Sequence, residues 1–233
     1  MNETGQSEGG IADAIFHRRA VRRYSDREAE PGMVEKLLGA AVQAPSAMNQ
    51  QPWVFGVFHG HERLRGYAER AKEYLVATYP TLMELHSRSE LYEDPAYDLF
   101  HGADTLIVIY AKAGRLHPNE DCCLAAENLM LAAHGMGLGT CPIGFARPWL
   151  DRWEIRRELG VPEHYAAVFP LVLGYPAGPT PAPSRAEPEI VSWQWDAPRN
   201  ARQPDAPAGC ARTGAKILLT KAKRSPVGGE RGA

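Results

Sequence analysis

The chain has 233 residues, of which 44% are hydrophobic and 23% are charged, and its formal net charge at pH 7 is −2. That length supports one sizeable core and is short for two independent domains, and the near-neutral charge argues against a polyanionic partner such as nucleic acid. No apolar run approaches the ~20 residues that span a membrane, and the polar first ten residues lack the apolar stretch of a signal peptide. We therefore expect a soluble, cytoplasmic protein with no membrane contact.

The charge is distributed unevenly along the chain. From Ala197 onward there are eight basic and two acidic residues, so this tail carries +6 and residues 1–196 carry −8. A basic tail of this kind is usually a solvated segment. The predicted organisation is a flexible N-terminus over 1–10, one folded domain over 11–196 and a disordered basic tail over 197–233.

Hydrophobic periodicity predicts the elements of the first half. Residues 11–19 form a helix with one apolar face, and a second helix follows Pro31 and ends by Ala44, since Pro45 disfavours helical geometry before it. The aromatic and β-branched residues 53–58 form a strand. Residues 62–94 read as a mixed helical region of poor period, which we interpret as a mobile or interface-forming insertion.

The second half continues the mixture of helices and strands. The continuous apolar run 105–110 predicts a central strand buried on both faces. Residues 121–134 form a helix that is apolar nearly all round, which is typical of a helix buried in a core or a subunit interface, and the glycines after it end it. A third helix near 150–159 and a last strand over 167–175 complete one α+β domain. Prolines make the chain beyond Tyr175 an extended arm.

The cysteines and histidines predict no metal centre. The four cysteines contain no Cys-x-x-Cys pair, and the eight histidines are scattered, with none at metal-ligand spacing. Cys122 and Cys123 are neighbours on a predicted helix, so their side chains point apart. We expect reduced thiols.

Three segments have unusual polarity for their positions. The first, residues 18–23, has four arginines within six residues at a helix end, which can present a forked cationic site to a phosphate; taken alone, a solvated basic turn is the commoner explanation. The second, residues 44–53, places amides and a hydroxyl between two prolines, and suits either a flavin edge or a solvated turn. The third, residues 139–145, holds a Pro-x-Gly turn that could lay backbone N–H groups against a planar ligand, although a plain strand and turn would explain it too.

One glycine pattern is rejected as a dinucleotide-binding site. Residues 135–139 have the spacing Gly-x-Gly-x-Gly, whereas the dinucleotide fingerprint is Gly-x-Gly-x-x-Gly. The fingerprint also follows a strand and opens a helix, and this pattern follows a helix.

Together and in this order, the segments resemble the nitroreductase family of flavoproteins over residues 11–195. The family's Arg-Arg-Ser-x-Arg element reads here Arg18-Arg19-Ala20-Val21-Arg22. Its Pro-Ser-x-x-Asn-x-Gln-Pro-Trp element is matched by Pro45, Ser46, Asn49, Gln51, Pro52 and Trp53. Ala20 departs from the pattern, because the family usually has serine there, and one hydroxyl contact worth on the order of 1 kcal/mol is lost.

The resemblance implies a central mixed sheet flanked by helices, and a homodimer with FMN at the subunit interface. It implies that Arg18, Arg19, Ala20 and Arg22 line the FMN site, with Arg22 near the pyrimidine edge, and that Arg185 helps bind the phosphate. Pro142, Ile143 and Gly144 would lie along the ring near N5. The other subunit would supply Pro45, Ser46, Ala47 and Asn49.

The family also implies an activity. NADH or NADPH would pass hydride to the flavin and leave, and an electron-poor acceptor such as a nitroaromatic or a quinone would then take its place. No side chain need act as a general acid, so no catalytic residue is named. The alternatives are another flavin reaction (reductive dehalogenation, ene reduction or a biosynthetic dehydrogenation) and a flavin-binding protein without turnover.

Overall fold

The structure, a computed structural model, describes residues 10–79, 94 and 96–194. The chain divides into one unit over 1–184 and a second over 185–233, and the predicted tail lies outside the described residues. Residues 185–194 of the second unit are exposed and have no regular structure. The elements of the first unit are α1 (Ile11–His17), α2 (Pro31–Ala41), β1 (Trp53–His59), α3 (His61–Thr78), β2 (Thr105–Lys112), α4 (Pro118–Gly135), β3 (Gly139–Pro142), α5 (Arg147–Leu150), α6 (Trp153–Glu158) and β4 (Tyr165–Gly174).

The four strands form one sheet in the order β1-β2-β4-β3, and each neighbouring pair is antiparallel. In the described chain, the parallel component expected of a mixed sheet is a single bridge between Ala20 and Thr140. The prediction that residues 105–110 form a central strand is confirmed, because β2 lies inside the sheet with all but its last residue buried. Helices flank this sheet, which confirms the α+β class.

Alternate residues of β2 enter two different cores, as the two-residue period of a strand requires. Leu106, Val108 and Tyr110 pack in a cluster that includes the buried face of α3 and Trp149 of α5. Ile107 and Ile109 pack in a second cluster with α2 and α4. The sheet is therefore the middle layer of a three-layer fold.

The first two helices differ in how well their apolar faces are buried. On α2, Val34, Leu37 and Ala41 are buried as predicted, and Pro31 starts the helix. On α1, which ends at His17 rather than near Arg19, Ala14 is buried, but Ile11 and Ile15 are 79% and 56% exposed. The apolar face of α1 thus lies open in the single chain, which the sequence pattern did not predict.

The interpretation of residues 62–94 as an insertion is wrong for its first half. Residues Leu64, Ala68, Ala71 and Leu75 are buried at a regular helical spacing on α3, so this helix is part of the core. Two of the four are alanines, which is why the apolar period looked weak. Residues 80–93 lie outside the described part of the chain.

The central helix α4 is less uniformly buried than its composition predicts. Seven of its residues are buried, whereas Cys123, Leu124 and Glu127 are exposed. Gly137 follows it with φ of 74°, and the Leu138 N–H bonds back to the Ala133 carbonyl, the glycine-capped end that was predicted.

The helix predicted near 150–159 is observed as the shorter α6, and Leu150 ends the separate helix α5. The chain breaks between them at Arg152, whose backbone is extended at φ −64° and ψ 138°. The Asp151 carboxylate next to it accepts the Ala167 N–H of β4 at 2.7 Å.

The described cysteines Cys122, Cys123 and Cys141 are free thiols. Among the described residues, no group of three or more histidines, cysteines or carboxylates could hold a metal ion. No helix in that part of the chain is long and apolar enough to cross a membrane.

Candidate functional site

The basic segment, residues 18–24, is attached to the sheet beside β3. The Val21 N–H donates to the Thr140 carbonyl at 2.9 Å, and the Ala177 N–H donates to the Arg23 carbonyl at 3.0 Å. The segment therefore meets the sheet where β3 begins and β4 ends, since Gly139 pairs with Gly174.

Two glycines permit this close approach. A Cβ at Gly139 would lie 2.7 Å from a methyl of Val21, and a Cβ at Gly174 would lie 2.8 Å from the Tyr24 ring. Any larger residue would push the basic segment off the sheet. Sequence reasoning assigned Gly139 to the end of α4 and to the candidate segment 139–145, but it missed this packing role, because the contact with Val21 joins residues more than a hundred positions apart.

Arg18 and Arg19 line a cavity of about 280 Å³ together with His134, Gly139 and Thr140. The Arg18 Nε atom is buried and has no hydrogen-bond partner among the described residues. The nearest acid in an ion pair with it is Glu127, whose Oε1 lies 3.6 Å away without a hydrogen bond. The Arg18 side chain is 20% exposed, but a buried cationic N–H without an acceptor is costly, so this arrangement favours an anionic ligand.

Arg22 lies in the same segment and its side chain is exposed. Its positive charge acts on Cys141, in the middle of β3. Burial raises the pKa of the Cys141 thiol, and the charge of Arg22 offsets part of that shift. Burial, followed by the charge of Cys141, also raises the pKa of Tyr24 well above its ordinary value, against the opposing effect of Arg22. The positive charge therefore extends from the cavity along β3.

The Pro-x-Gly turn lies at the other end of β3. Ile143 is buried, and its N–H donates to the Pro170 carbonyl at 2.9 Å, whereas Pro142 and Gly144 are exposed. Three residue steps along β3 separate the turn from Gly139, about 10 Å at strand spacing. Cationic side chains and an open backbone turn thus occupy the two ends of one strand.

The amide loop, residues 45–51, has an unusual backbone. Met48, Asn49 and Gln51 have φ of 51°, 52° and 45°, in the left-handed region that costs non-glycine residues energy. Side chains within the loop support this shape: Ser46 Oγ accepts the Gln51 N–H at 3.0 Å, and the Gln51 amide donates to Asn49 Oδ1 at 2.9 Å. Met48, at the tip, is 84% exposed.

Two contacts fix the loop to the start of α4. The Ala47 N–H donates to both carboxylate oxygens of Asp121, at 3.1 and 3.2 Å, and Gln50 Oε1 accepts the Leu116 N–H at 2.9 Å. Sequence reasoning missed Asp121. The available signal was an acidic residue in the first turn of an otherwise apolar helix.

Within one chain, the amide loop does not reach the turn at the end of β3. The loop leads directly into β1, and β1 and β3 are the opposite edges of the sheet, three strand spacings or about 14 Å apart. The structure therefore places Arg18, Arg19, Ala20 and Arg22 beside β3, and it places Pro142, Ile143 and Gly144 at the far end of the same strand. Pro45, Ser46, Ala47 and Asn49 lie at the opposite edge of the sheet. Arg185 is exposed and lies in the second unit.

The sequence matches the model of the nitroreductase family over residues 15–175. The chain belongs to the nitroreductase family. The matched range runs from α1 to the end of β4, so it includes the basic segment, the amide loop and the Pro-x-Gly turn of this nitroreductase-family protein. Arg185 and the basic tail lie beyond it.

Relatives of this family member include proteins named as nitroreductases and one named as a deiodinase. A Methanothermobacter thermautotrophicus protein, provisionally named NADH dehydrogenase/NAD(P)H nitroreductase, is 32% identical over 72% of this chain and 78% of its own length. An iodotyrosine deiodinase of Thermotoga neapolitana is 27% identical over 76% of this chain and 94% of its own. The solved Bacteroides fragilis nitroreductase with bound FMN superimposes with a TM-score of 0.67 at 25% identity, over 82% of this chain and 98% of that one.

Proposed function

We propose that this nitroreductase-family chain is an FMN-dependent oxidoreductase that takes hydride from NADH or NADPH and delivers it to an electron-poor acceptor, such as a nitroaromatic or a quinone. The observation that carries the proposal is the buried Arg18 Nε, which lacks a hydrogen-bond partner at the cationic end of β3. An FMN phosphate is a dianionic acceptor of the kind that this guanidinium lacks.

The residues along β3 fit the rest of the cofactor. Arg18 and Arg19 would hold the phosphate in their shared cavity. Ala20 would contribute backbone contacts only. Arg22 would lie at the pyrimidine edge, where its charge would stabilise the negative charge that develops there on reduction. The exposed backbone of Pro142 and Gly144 would border the ring near N5, with Ile143 behind it.

FMN, when bound, supplies a position that accepts hydride from a nicotinamide and returns it to a second substrate. The protein's own contribution is to orient both substrates over one open face, so that they occupy it in turn. A proton taken up by the reduced acceptor can come from solvent. We therefore assign binding roles to the residues above and no catalytic acid.

A homodimer would complete the site. The amide loop is separated from β3 within one chain, so a second copy could supply Pro45, Ser46, Ala47 and Asn49 to each flavin. Large apolar side chains are exposed on the elements that such a pairing would use, namely Ile11, Ile15 and Phe16 on α1, Met48 in the loop and Leu124 on α4. Exposed apolar side chains on several elements of this kind favour a protein partner.

Reductive dehalogenation is the second candidate function. The specific observation that favours it is the similarity to the Thermotoga neapolitana protein named as an iodotyrosine deiodinase. The same cationic cavity and turn would serve either reaction, because both begin with a reduced flavin. The two differ in the acceptor and in whether a nicotinamide reduces the flavin efficiently.

The deciding experiment starts from the absorbance spectrum of the purified protein, with FMN added if the cofactor is lost on purification. Anaerobic mixing with NADH and with NADPH should bleach the flavin band quickly with one of them, and adding a quinone or nitroaromatic should restore it. Bleaching by dithionite alone, followed by halide release from a halogenated phenol, would favour the second candidate. A protein that binds no FMN would overturn the proposal.

A further inference from the structure

Asp121 is a buried carboxylate with an unusual partner. Its side chain is on the first turn of α4 and the residue is only 4% exposed, yet both oxygens lie within 3.2 Å of one backbone N–H, that of Ala47. Burying a carboxylate costs free energy unless hydrogen bonds compensate it. The position therefore serves the amide loop, 74 residues away in sequence.

The loop needs such an external restraint. Three of its residues have left-handed backbone angles, which cost non-glycine residues free energy. Strained backbone persists only where its surroundings hold it in place. Asp121 and Leu116 hold the loop from outside, one on each side of the left-handed pair Met48 and Asn49.

We propose that Asp121 is a positioning residue that sets the backbone shape of the amide loop and so controls binding of the flavin ring, without touching the cofactor. The inference rests on the proposed function, because it takes the loop to contact the ring. It separates two halves of the cofactor site: Arg18 holds the phosphate, and Asp121, through Ala47, holds the surface against the ring.

The test compares two ligands, FMN and riboflavin, which share the ring and differ in the phosphate. In Asp121→Ala, a loop that loses its shape should weaken both ligands by about the same factor, roughly tenfold for the ~1.4 kcal/mol scale of one charge-assisted hydrogen bond. The ratio of the two dissociation constants should stay that of the wild type. Visible circular dichroism of bound flavin should also change, since it reports the contacts of the ring.

The chain offers a matched control in the same helical turn. Glu120 is exposed, so Glu120→Gln removes one negative charge from the start of α4 without touching the loop. It should leave both dissociation constants within about twofold of the wild type, since an exposed charge near a helix end is worth only a few tenths of a kcal/mol. Asp121→Asn keeps an oxygen acceptor and should restore most of the affinity that Asp121→Ala loses.

A second variant removes the same hydrogen bond and can be used if Asp121→Ala folds poorly. Ala47→Pro removes the N–H donor itself, and the extended backbone of Ser46 (φ −143°, ψ 153°) suits the residue before a proline. It should reproduce the equal weakening of FMN and riboflavin. If the two groups act through their mutual contact, combining both substitutions should cost no more than the costlier one alone.

The outcomes are distinct. Wild-type affinity for both flavins in Asp121→Ala and Ala47→Pro, with only a lower melting temperature, would assign Asp121 a purely structural role and overturn the inference. Weakening of FMN alone would also overturn it, because that pattern belongs to the phosphate. A wild-type chain that binds neither flavin would overturn the proposed function, and the inference with it.

Discussion

The basic segment and the amide loop differ in the kind of hydrogen bond that holds each in place. The basic segment is held by backbone hydrogen bonds to the sheet, such as Val21 to Thr140, and this leaves the Arg18 Nε atom without a hydrogen-bond partner among the described residues. Arg19 also braces the segment, because its Nη1 donates to the Phe16 and Arg18 carbonyls at 2.8 Å. The amide loop is held largely by side chains, those of Ser46, Gln50 and Asp121, which bond to the backbone. What it offers a ligand is therefore the shape of its main chain.

This difference predicts how each region fails. In the basic segment, a side-chain substitution should remove one ligand contact and leave the fold intact. Only a change in the sheet beneath the segment should displace it and destabilise the fold. In the amide loop, the ligand-facing groups depend on residues distant in sequence. Substitutions in each region test that contrast.

Gly139→Ala should do the most damage. The new Cβ would lie 2.7 Å from a Val21 methyl, so the basic segment must shift away from β3. Overpacking of this kind costs about 1–3 kcal/mol, and displacement of Arg18 and Arg19 should abolish tight FMN binding as well. Urea unfolding and a flavin titration measure the two effects.

Gly39 supplies the matched control. A Cβ there meets nothing within 4 Å on α2, and Gly39→Ala should stabilise the protein by about 0.5–1 kcal/mol through helix propensity. Adding Val21→Ala to Gly139→Ala should recover part of the lost stability by removing the clashing methyls. Equal stability of the two glycine variants would refute the close-packing argument.

Arg18→Ala should weaken FMN by about 10- to 100-fold, on the scale of 1.5–3 kcal/mol for a hydrogen bond to a charged group. Riboflavin, which lacks the phosphate, should bind as it does to the wild type. Arg23→Ala removes the same charge from an exposed position in the same segment, and should change FMN affinity little. Similar losses in both variants would mean that the segment attracts FMN by general charge alone, without a specific Arg18 contact.

Much of this fold follows from local sequence patterns. The periodicity of Val34, Leu37 and Ala41 predicts α2 and its buried face, and the unbroken apolar run of β2 predicts the centre of the sheet. Three short segments, taken together and in order, were sufficient to predict the family.

Contacts between residues that are distant in sequence could not be predicted from local patterns. The pairing of Asp121 with Ala47 and the approach of Gly139 to Val21 each depend on how distant elements pack. The exposed face of α1 shows another limit, because an apolar stripe such as Ile11 and Ile15 has the same pattern whether it packs in a core or against another chain.

Tyr24→Phe tests the basic segment through pH. The Tyr24 hydroxyl donates to the Val21 carbonyl at 2.8 Å, so the variant should lose about 1 kcal/mol near pH 7. Because burial raises the folded-state pKa above the ordinary value, the wild type keeps this stability below about pH 10 and loses it as pH rises further. In urea unfolding, the stability difference should be constant from pH 7 to about pH 9 and should shrink as the pH rises from about 10 to 11. The exposed Tyr79→Phe should leave the wild-type pH dependence unchanged.

The smallest effect on stability should come from Met48→Gly, which should stabilise the protein, whereas the substitutions above, apart from their controls, destabilise it or weaken binding. Met48 has φ of 51° and a side chain that is 84% exposed, so glycine relieves backbone strain and removes little packing. The gain should be at most about 1 kcal/mol, because glycine also adds freedom to the unfolded chain. Lys36→Gly, at an exposed position inside α2, should instead cost about 1 kcal/mol.

If Met48→Gly costs as much as Lys36→Gly, the Met48 side chain must be packed in solution although it is exposed in the single chain. A second copy is the partner that the proposed function supplies. Dilution separates the two explanations, because a cost that arises from an interface between copies disappears once the chains dissociate, whereas a cost that arises within one chain is independent of concentration. The tip of the amide loop would then report both how the loop is held and whether it meets a partner.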